Sequence, residues 1–425
     1  MKKLTSLAAL LAFAIATAAH AGPAQPTDVT VTEESKFQEW WNGRQFTGDW
    51  FGLRDTLEDY GLTFSGKYYG AFFGVIKGGG AKSRGFWDQG LQFGAEQNFG
   101  KLFNVDMLSG VKGFGIVRWR DSRADADPNS YVQANSTFNP SNWISGTQWR
   151  ILNFGLEIGS DDHLSVKDMI VLRGGWLQPQ TEFIDQPLSK LFLNNAVNSA
   201  KGIGGNIPFS SSFSTWGGTL KVKPVDVWYL KGGLFMAYPQ ATASSNHGLA
   251  MAGYAPDPSQ NGLFAIGETG ITPKIGPAEL PGKYAFGGYY WGLENTSFYG
   301  QNYDGQWGLY WQADQMLFRE ASPAPEPLGK GPSDGKAITS IGKNFKEPVP
   351  MVKPALSEQG LYTFNLITFA PKYDNTFPFY FQSGLVYKGL LPGREKDQAL
   401  ISIGFGSYSF DQIESKEDAG VVNQS

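Results

Sequence analysis

The 425-residue sequence contains no cysteine, so neither disulfides nor thiolate chemistry is available to this protein. Charged residues are also scarce, at 17% against about 25% in an average protein. The formal net charge of -4 is too small to indicate nucleic acid or another polyanionic partner. After the first 21 residues, no stretch offers the roughly 18 consecutive apolar residues that a membrane-spanning helix needs.

Histidine is nearly absent as well. Only His163 and His247 lie beyond the N-terminal leader, and the chain has neither a G-x-S-x-G elbow nor a paired-histidine metal motif. A pair of Asp or Glu residues would suffice for glycoside hydrolysis, but nothing in the sequence singles one out. We therefore predict no enzymatic activity, no metal and no cofactor.

Residues 1–21 have the features of a secretory signal peptide. Two lysines precede a short apolar run, and Ala19-His20-Ala21 provides a cleavage site of the A-x-A type. The mature chain is expected to begin near Gly22 and to leave the cytoplasm. Residues 22–61 are predicted to form a periplasmic segment with a short helix that starts at Thr47 or Asp49 and stops at Gly61.

Glycine and aromatic residues are abundant. Glycine accounts for 54 of 425 residues and aromatic residues for 15%, which suits many strands joined by tight turns. From Leu62 onward apolar and polar residues alternate with period two, as in half-buried strands. Twelve such strands are predicted, at 62–76, 87–99, 110–122, 148–159, 166–178, 214–223, 226–239, 283–294, 305–317, 358–370, 377–389 and 398–410.

The connections between these strands alternate in length. Four long ones are separated by short ones, and the long ones span 123–147, 179–213, 240–282 and 318–357. Long loops at one end and short turns at the other are typical of outer-membrane barrels, whereas a soluble sandwich has no reason for this segregation. The sequence thus predicts an all-β protein, a transmembrane antiparallel β-barrel of the outer-membrane porin type at 62–411, followed by a polar tail at 412–425.

The stretch from Val166 to Phe213 organises this prediction. It begins as a strand in which Ile170, Leu172 and Trp176 are expected to face lipid while Arg173 faces the lumen. It continues as a long polar segment, which we expect to fold inward and narrow the pore.

Three motifs resemble a known family. They are TGDWFGLRDTLEDYGL at 47–62, LRGG at 172–175 followed by Glu182-Phe183 and LFLN at 191–194, and YKGLLPGR at 387–394. Together they resemble the carbohydrate-selective porin family OprB, over about Trp41 to Phe410. The resemblance implies a 16-stranded outer-membrane barrel whose constriction, lined by arginines, acidic groups and aromatics, admits monosaccharides such as glucose. About 12 strands are recognisable, so about four strands of the family pattern are expected to be absent from this sequence.

The same resemblance implies the surroundings of the protein. It places the chain in the outer membrane of a Gram-negative bacterium, in contact with outer-membrane lipid and with the barrel-assembly machinery. Small sugars would be its permeants, and nucleic acid would have no role. The oligomeric state is left open, with a homotrimer as one candidate.

A sugar-selective constriction needs charged or amide groups for hydroxyls and aromatic faces for stacking. Arg118 and Arg120 share one strand face, and an arginine facing lipid costs about 2–4 kcal/mol at the membrane midplane, so both are predicted to face the lumen with Arg173. Arg150 is a weaker candidate for the constriction, because its parity places it near the strand rim or beyond a bulge. The predicted acidic counterparts are Asp88, Glu96, Glu157 and, in the inward segment, Glu182.

Alternatives remain open for these residues and for the function. The arginines could simply pair with carboxylates across a barrel, and Glu182 could lie in a solvated loop. Trp291, Trp307 and Trp311 are expected in an aromatic girdle rather than in a sugar site. Passive, sugar-selective diffusion is the favoured function. A general diffusion porin is the first alternative, and a secreted carbohydrate-binding β-protein is the second.

Overall fold

The computed structural model describes residues 50, 52–74, 85–122, 148–159, 169–209, 213–237, 262–320, 357–391, 394 and 397–419. The chain divides into two units, Met1–Thr56 and Leu57–Ser425. The described part of the first unit is Trp50 and the start of helix α1 (Leu53–Asp59), where the guanidinium of Arg54 lies 5.2 Å from the centre of the Trp50 ring. The predicted signal peptide and both predicted helix starts lie outside the described residues.

The second unit is built on one antiparallel sheet. Thirteen of the described strands pair with one another in chain order, a short strand attaches to the ninth of them, and two more form a separate hairpin. The strands are β1 (Leu62–Gly74), β2 (Gly85–Asn98), β3 (Val111–Ser122), β4 (Gln148–Ile158), β5 (Ile170–Leu177), β6 (Thr215–Val225), β7 (Trp228–Ala237), β8 (Gly262–Ile271), β9 (Lys274–Ile275), β10 (Leu280–Trp291), β11 (Asn295–Thr296), β12 (Asn302–Tyr303), β13 (Gln306–Arg319), β14 (Gly360–Phe369), β15 (Phe379–Lys388) and β16 (Gln398–Ser407).

Short helices occupy the connections. They are α2 (Phe99–Phe103), α3 (Pro179–Phe183), α4 (Asn195–Asn198), α5 (Lys201–Gly204) and α6 (Phe410–Asp418). Glycine at position 61 has a φ of 82°, which ends α1 where the sequence predicts the stop. Residues 410–418, mostly in the predicted polar tail, form α6. None of the helices in the described ranges is long and apolar enough to cross a membrane.

The two faces of the sheet differ as the period-two pattern requires. On the outer face large apolar side chains are exposed, among them Phe93, Leu172, Leu234, Phe286 and Ile401. We define the inner face as the one against which segment 178–213 packs. This division into an apolar outside and a mixed, partly polar inside is the pattern of a sheet that faces lipid.

The strand count corrects the sequence prediction. β8 lies inside the stretch 240–282, which was predicted to be one long connection, so the part of the chain that the structure describes contributes 13 strands to the main path of the sheet rather than 12. Phe264 and Ile266 on the inner face of β8 are as apolar as Leu263 and Ala265 on the outer face. Period-two alternation is therefore lost, because the inner residues of this strand pack against segment 178–213 instead of facing solvent.

The extra strand also changes which connections share an end. We call the end that holds connection 226–227 the turn end, and the end that holds segment 178–213 the loop end. With 13 strands, connection 320–359 falls at the turn end, so the prediction that every long connection shares one end is wrong. Because the number of these strands is odd, β1 and β16 run in the same direction. They therefore cannot form an antiparallel pair with each other.

Segment 178–213 packs along the inner face. One apolar cluster joins Phe183, Ile203 and Phe209 of the segment to inner-face residues of β7, β8, β10, β13 and β14. A second joins Phe192 and its neighbours to β14 and β15. The segment thus begins at β5, ends at β6 and extends across the inner face as far as β14 and β15, as the inward-folding prediction requires.

Close packing of this segment yields a stability prediction. A Cβ atom on Gly202 would lie 2.5 Å from Cβ of Tyr380 and 2.2 Å from Oγ1 of Thr368, whereas one on Gly174 would meet nothing within 4 Å. Gly202→Ala should therefore destabilise the protein by about 1–3 kcal/mol, the usual effect of overpacking. Urea unfolding of the purified variants would measure this, with Gly174→Ala as the near-neutral control. Equal stability of the two variants would contradict the close contact.

Candidate functional site

The inner face concentrates polar groups around the first part of segment 178–213. We call Glu157, Arg173, Glu182 and Lys231 the ion-pair group, because their charged atoms lie in direct contact. They come from β4, β5, α3 and β7, so four separate elements converge on this point.

Arg173 is the centre of the ion-pair group. Its Nε lies 3.0 Å from Oε2 of Glu157, its register partner on the neighbouring strand, and its Nη1 lies 2.6 Å from Oε1 of Glu182. The Nε contact is an ion pair without hydrogen-bond alignment. The guanidinium also sits 4.4 Å from the ring centre of Phe114. Three predicted site residues are thereby brought together, although their shared role in a constriction remains a prediction.

Lys231 completes the charge balance from the other side. Its Nζ lies 3.2 Å from Oε2 of Glu182 and also donates to the backbone carbonyl of the same residue. Glu182 is buried, with only 4% of its side chain exposed, so its charge is held between two cations. A buried carboxylate is stable only with such pairing and hydrogen bonding. The solvated-loop alternative for Glu182 is therefore wrong.

Further side chains of the sheet bind the backbone of the inward segment. Nε2 of Gln312 donates to the Phe183 carbonyl at 2.9 Å, and Nζ of Lys283 donates to the Asp185 carbonyl at 3.3 Å. In the reverse direction, Nε2 of Gln186 donates to the backbone oxygen of Asn365 at 2.9 Å. Successive residues of the segment are thus fixed to β13, β10 and β14 in turn.

Glu268 on β8 lies beneath this attachment. It is 6% exposed and accepts hydrogen bonds from the hydroxyls of Tyr229 at 2.6 Å and Tyr310 at 3.0 Å. Nε2 of Gln312, which donates to the segment, also lies 2.6 Å from Oε2 of Glu268. One carboxylate thus links three strands to the inward segment.

Arg118, Arg120 and Arg150 form a separate arginine group. Arg118 and Arg150 face each other in register across β3 and β4, and all three are buried on the inner face within interaction range of one another. A register shift between Ile116 and Val117 turns Arg150 inward, which agrees with the second of the two alternatives for this residue, a position beyond a bulge.

The arginine group does not join the ion-pair group. Lys112 is the register partner of Glu157, and it lies six residues from Arg118 on β3, which is about 20 Å along the strand. The predicted site residues therefore divide into two places. Asp88 is buried on β2, and its register partner on β3 is Ser122, two residues beyond Arg120.

Glu96 has a different partner from the one predicted. Its Oε1 lies 3.3 Å from Nζ of Lys112, and both side chains are partly exposed. The register partner of Glu96 on β3 is Phe114, the ring beneath Arg173. Glu96 is thus next to the ion-pair group but is not bonded to it.

Two tryptophans differ from their predicted placement. Trp176 is 2% exposed and packs edge to face on Trp216 at 5.6 Å, so the prediction that it faces lipid is wrong. The regular strand pattern ends at Gly175, whose φ of 145° suits glycine alone. Trp291 is buried against Phe213 of the inward segment rather than exposed in a girdle. Trp307 is exposed on the outer face, as a girdle residue would be.

The sequence reading missed Lys231, Glu268 and Gln312. Lys231 and Gln312 lie in predicted strands, so the lipid-cost argument used for Arg118 could have placed both on the inner face. Glu268 was out of reach because β8 was not predicted.

The inward segment adds another cation, Lys201, whose pKa burial lowers from its ordinary value.

An apolar outer face, a charged inner face and an inward segment fixed across the interior define a porin-type membrane channel. A profile of the carbohydrate-selective porin family OprB matches residues 69–425. The chain belongs to this family of outer-membrane channels of Gram-negative bacteria, and it is not an enzyme.

Known relatives agree with this assignment. Porin B of Pseudomonas aeruginosa is 26% identical over 382 residues, which cover 86% of this chain and 73% of the relative. A high-pH structure of Pseudomonas putida OprB superimposes with a TM-score of 0.68 at 19% identity, covering 89% of this chain and 84% of the other. The structural likeness concerns the fold.

Removal of the Lys231 charge should loosen the inward segment. Lys231→Met would leave Glu182 with a single cation and remove a bond to its carbonyl, a loss of about 1.5–3 kcal/mol for a charge-assisted hydrogen bond. Single-channel recording in planar bilayers should then show higher conductance and more current noise. Lys274→Met is the control, since this exposed lysine pairs with Glu279 in a turn. Unchanged conductance in Lys231→Met would contradict the attachment.

The link through Gln312 can be separated from the rest of the Glu268 network. Gln312→Leu removes the bond to the Phe183 carbonyl and one bond to Glu268, whereas Tyr229→Phe removes one bond to Glu268 and leaves the segment attached. Loss of the bond to the carbonyl should destabilise the protein by about 1 kcal/mol, and loss of a bond to the carboxylate by about 1.5–3 kcal/mol. Only Gln312→Leu should also raise the channel conductance. A similar rise in both variants would show that Glu268, rather than the link to the segment, controls the opening.

Proposed function

We propose that this chain mediates passive, selective diffusion of small sugars of the glucose type across the outer membrane. The ion-pair group is the observation that supports this proposal. It places cationic donors and carboxylate acceptors side by side where the inward segment meets the inner face. Sugar hydroxyls both donate and accept, so such a paired surface can exchange hydrogen bonds with them without a large net charge.

In this proposal Arg173 is the main contact for a passing sugar. It is 27% exposed at the side chain, whereas Glu182 beside it is nearly covered. Glu157 is 22% exposed and supplies an acceptor. Glu182 and Lys231 position the guanidinium and the inward segment. Contacts of this kind are weak enough for release, as a diffusion channel requires.

The arginine group and Asp88 have a supporting role in this proposal. The three arginines and the buried carboxylate of Asp88 lie on the same inner face, on the loop-end side of the ion-pair group. In this proposal their donors and acceptors exchange hydrogen bonds with polar solutes on the path to Arg173. Glu96, level with Phe114, and Lys112, on its turn-end side, form an ion pair that supplies a further acceptor and donor in this proposal.

Liposome swelling would test the proposal. Purified protein should admit glucose faster than amino acids of similar size, and Arg173→Ala should reduce this preference by up to about tenfold, the effect of 1.4 kcal/mol. Arg394→Ala is the matched control, because Arg394 is an exposed arginine that pairs with Asp397 in a turn. Equal rates for all small solutes in the unaltered protein would instead indicate a general diffusion porin.

A further inference from the structure

Two tyrosines form a stacked pair at the loop end, away from the ion-pair group. Tyr303 of β12 and Tyr373 of connection 370–378 have ring centres 4.6 Å apart and ring planes inclined by 30°. Both side chains remain partly exposed. We call this pair the tyrosine shelf. Each ring covers one face of its neighbour, and the pair keeps part of its aromatic surface exposed.

Hydrogen bonds hold the tyrosine shelf in place. The Phe298 amide donates to the Tyr373 carbonyl at 3.0 Å, which ties the β11–β12 hairpin to connection 370–378. The Tyr303 hydroxyl donates to Oε1 of Gln301 at 2.9 Å, and the Trp307 indole lies close to the Tyr373 hydroxyl. Burial is the main reason that the pKa of Tyr373 is raised from its ordinary value.

A buried acid supports the shelf from below. Oδ2 of Asp374 accepts from Nδ2 of Asn295 at 3.3 Å, and its backbone carbonyl accepts from Nε2 of Gln306 at 2.8 Å. Burial raises the pKa of Asp374, and the hydrogen bonds from Asn295 and Asn375 oppose that shift. The shelf is therefore organised before any ligand arrives, which lowers the entropic loss on binding.

Exposed polar side chains border the shelf. Gln301, Asn302 and Asp304 are exposed in or next to β12, within three residues of Tyr303. They supply amide donors, amide acceptors and a carboxylate beside a flat aromatic surface. A sugar ring presents the complementary chemistry, a weakly apolar face of C–H groups with hydroxyls around its edge. Aromatic contact and several weak hydrogen bonds suit a saccharide better than a charged or fully apolar ligand.

We propose that the tyrosine shelf, with Gln301, Asn302 and Asp304, is a saccharide-binding subsite at the loop end of the channel. For a free sugar this extends the proposed function and rests on it. A saccharide could also come from the headgroup of a glycolipid, since Trp307 beside the shelf is exposed on the lipid-facing outer face. The shared chemistry is a pyranose ring, and the two sources require separate arms of the test.

The first arm measures free sugar by saturation-transfer NMR. The probe is methyl glucoside, added to the full protein in an amine-oxide detergent that carries no sugar headgroup. Tyr303→Ala should weaken binding by about two- to tenfold, the value of an aromatic contact. Tyr303→Phe keeps the ring and should bind as the unaltered protein does.

Tyr299→Ala is the matched control for this arm. Tyr299 is 51% exposed in the same hairpin, but its hydroxyl bonds to Glu414 and its ring lies outside the stacked pair. Loss of binding in Tyr303→Ala together with full binding in Tyr299→Ala supports the subsite. Equal binding in all variants overturns it for free sugar.

The second arm measures glycolipid. The protein is incubated with vesicles of monogalactosyldiacylglycerol and phosphatidylglycerol, extracted in the same detergent, and the retained lipid is counted. If the retained amount of galactolipid falls in Tyr303→Ala and free sugar does not bind, the subsite is assigned to a lipid headgroup. The proposal is overturned if neither free-sugar binding nor galactolipid retention depends on Tyr303.

These outcomes are independent of the channel's selectivity. Liposome swelling with saturating glucose reports on the ion-pair group, because a mouth site is filled at that concentration. Intact glucose preference with no effect of Tyr303→Ala in either arm would reject the subsite and leave the proposed function standing. Loss of the glucose preference together with saccharide binding that depends on Tyr303 would support the subsite and reject the proposed function.

Discussion

Hydrogen bonding between sheet side chains and the backbone of the inward segment is the interaction on which the interior depends. A peptide chain that leaves the sheet and runs through the interior has carbonyl and amide groups that no strand partner satisfies. Here Lys231, Gln312 and Lys283 supply donors to those carbonyls, and Tyr380 donates to the Ala196 carbonyl further along. The position of the segment is therefore set by side chains of the strands rather than by its own short helices.

Charge pairing follows from that position. Glu182 is carried inward by α3, and a lone buried carboxylate there would be strongly unfavourable. Arg173 and Lys231 approach it from both sides, and Glu157 balances the arginine in turn. The cluster is thus alternating in sign and nearly neutral. This is the physical basis for expecting it to suit neutral, hydroxyl-rich solutes.

Much of the architecture is readable from local pattern. All twelve predicted strands correspond to described ones in order and approximate position, and the placement of Arg118 and Arg173 on the inner face follows from parity and the expense of a lipid-facing charge. The family resemblance in LRGG and the neighbouring Glu182-Phe183 directed attention to the residues that meet in the ion-pair group. The pairing of Arg173 with Glu182 was not predictable from spacing, because a nine-residue separation across a strand end has no fixed geometry.

The sequence by itself determined the all-β class of the protein, because apolar and polar residues alternate with period two in strand after strand, and the OprB motifs indicated the family. Tertiary structure alone decided which connections lie at which end, because β8 becomes visible as a strand only when segment 178–213 covers its inner residues. It also decided that Trp176 and Trp291 are buried and that Lys231, Glu268 and Gln312 hold the interior. These outcomes depend on contacts between residues far apart in the chain, and periodicity carries no information about them.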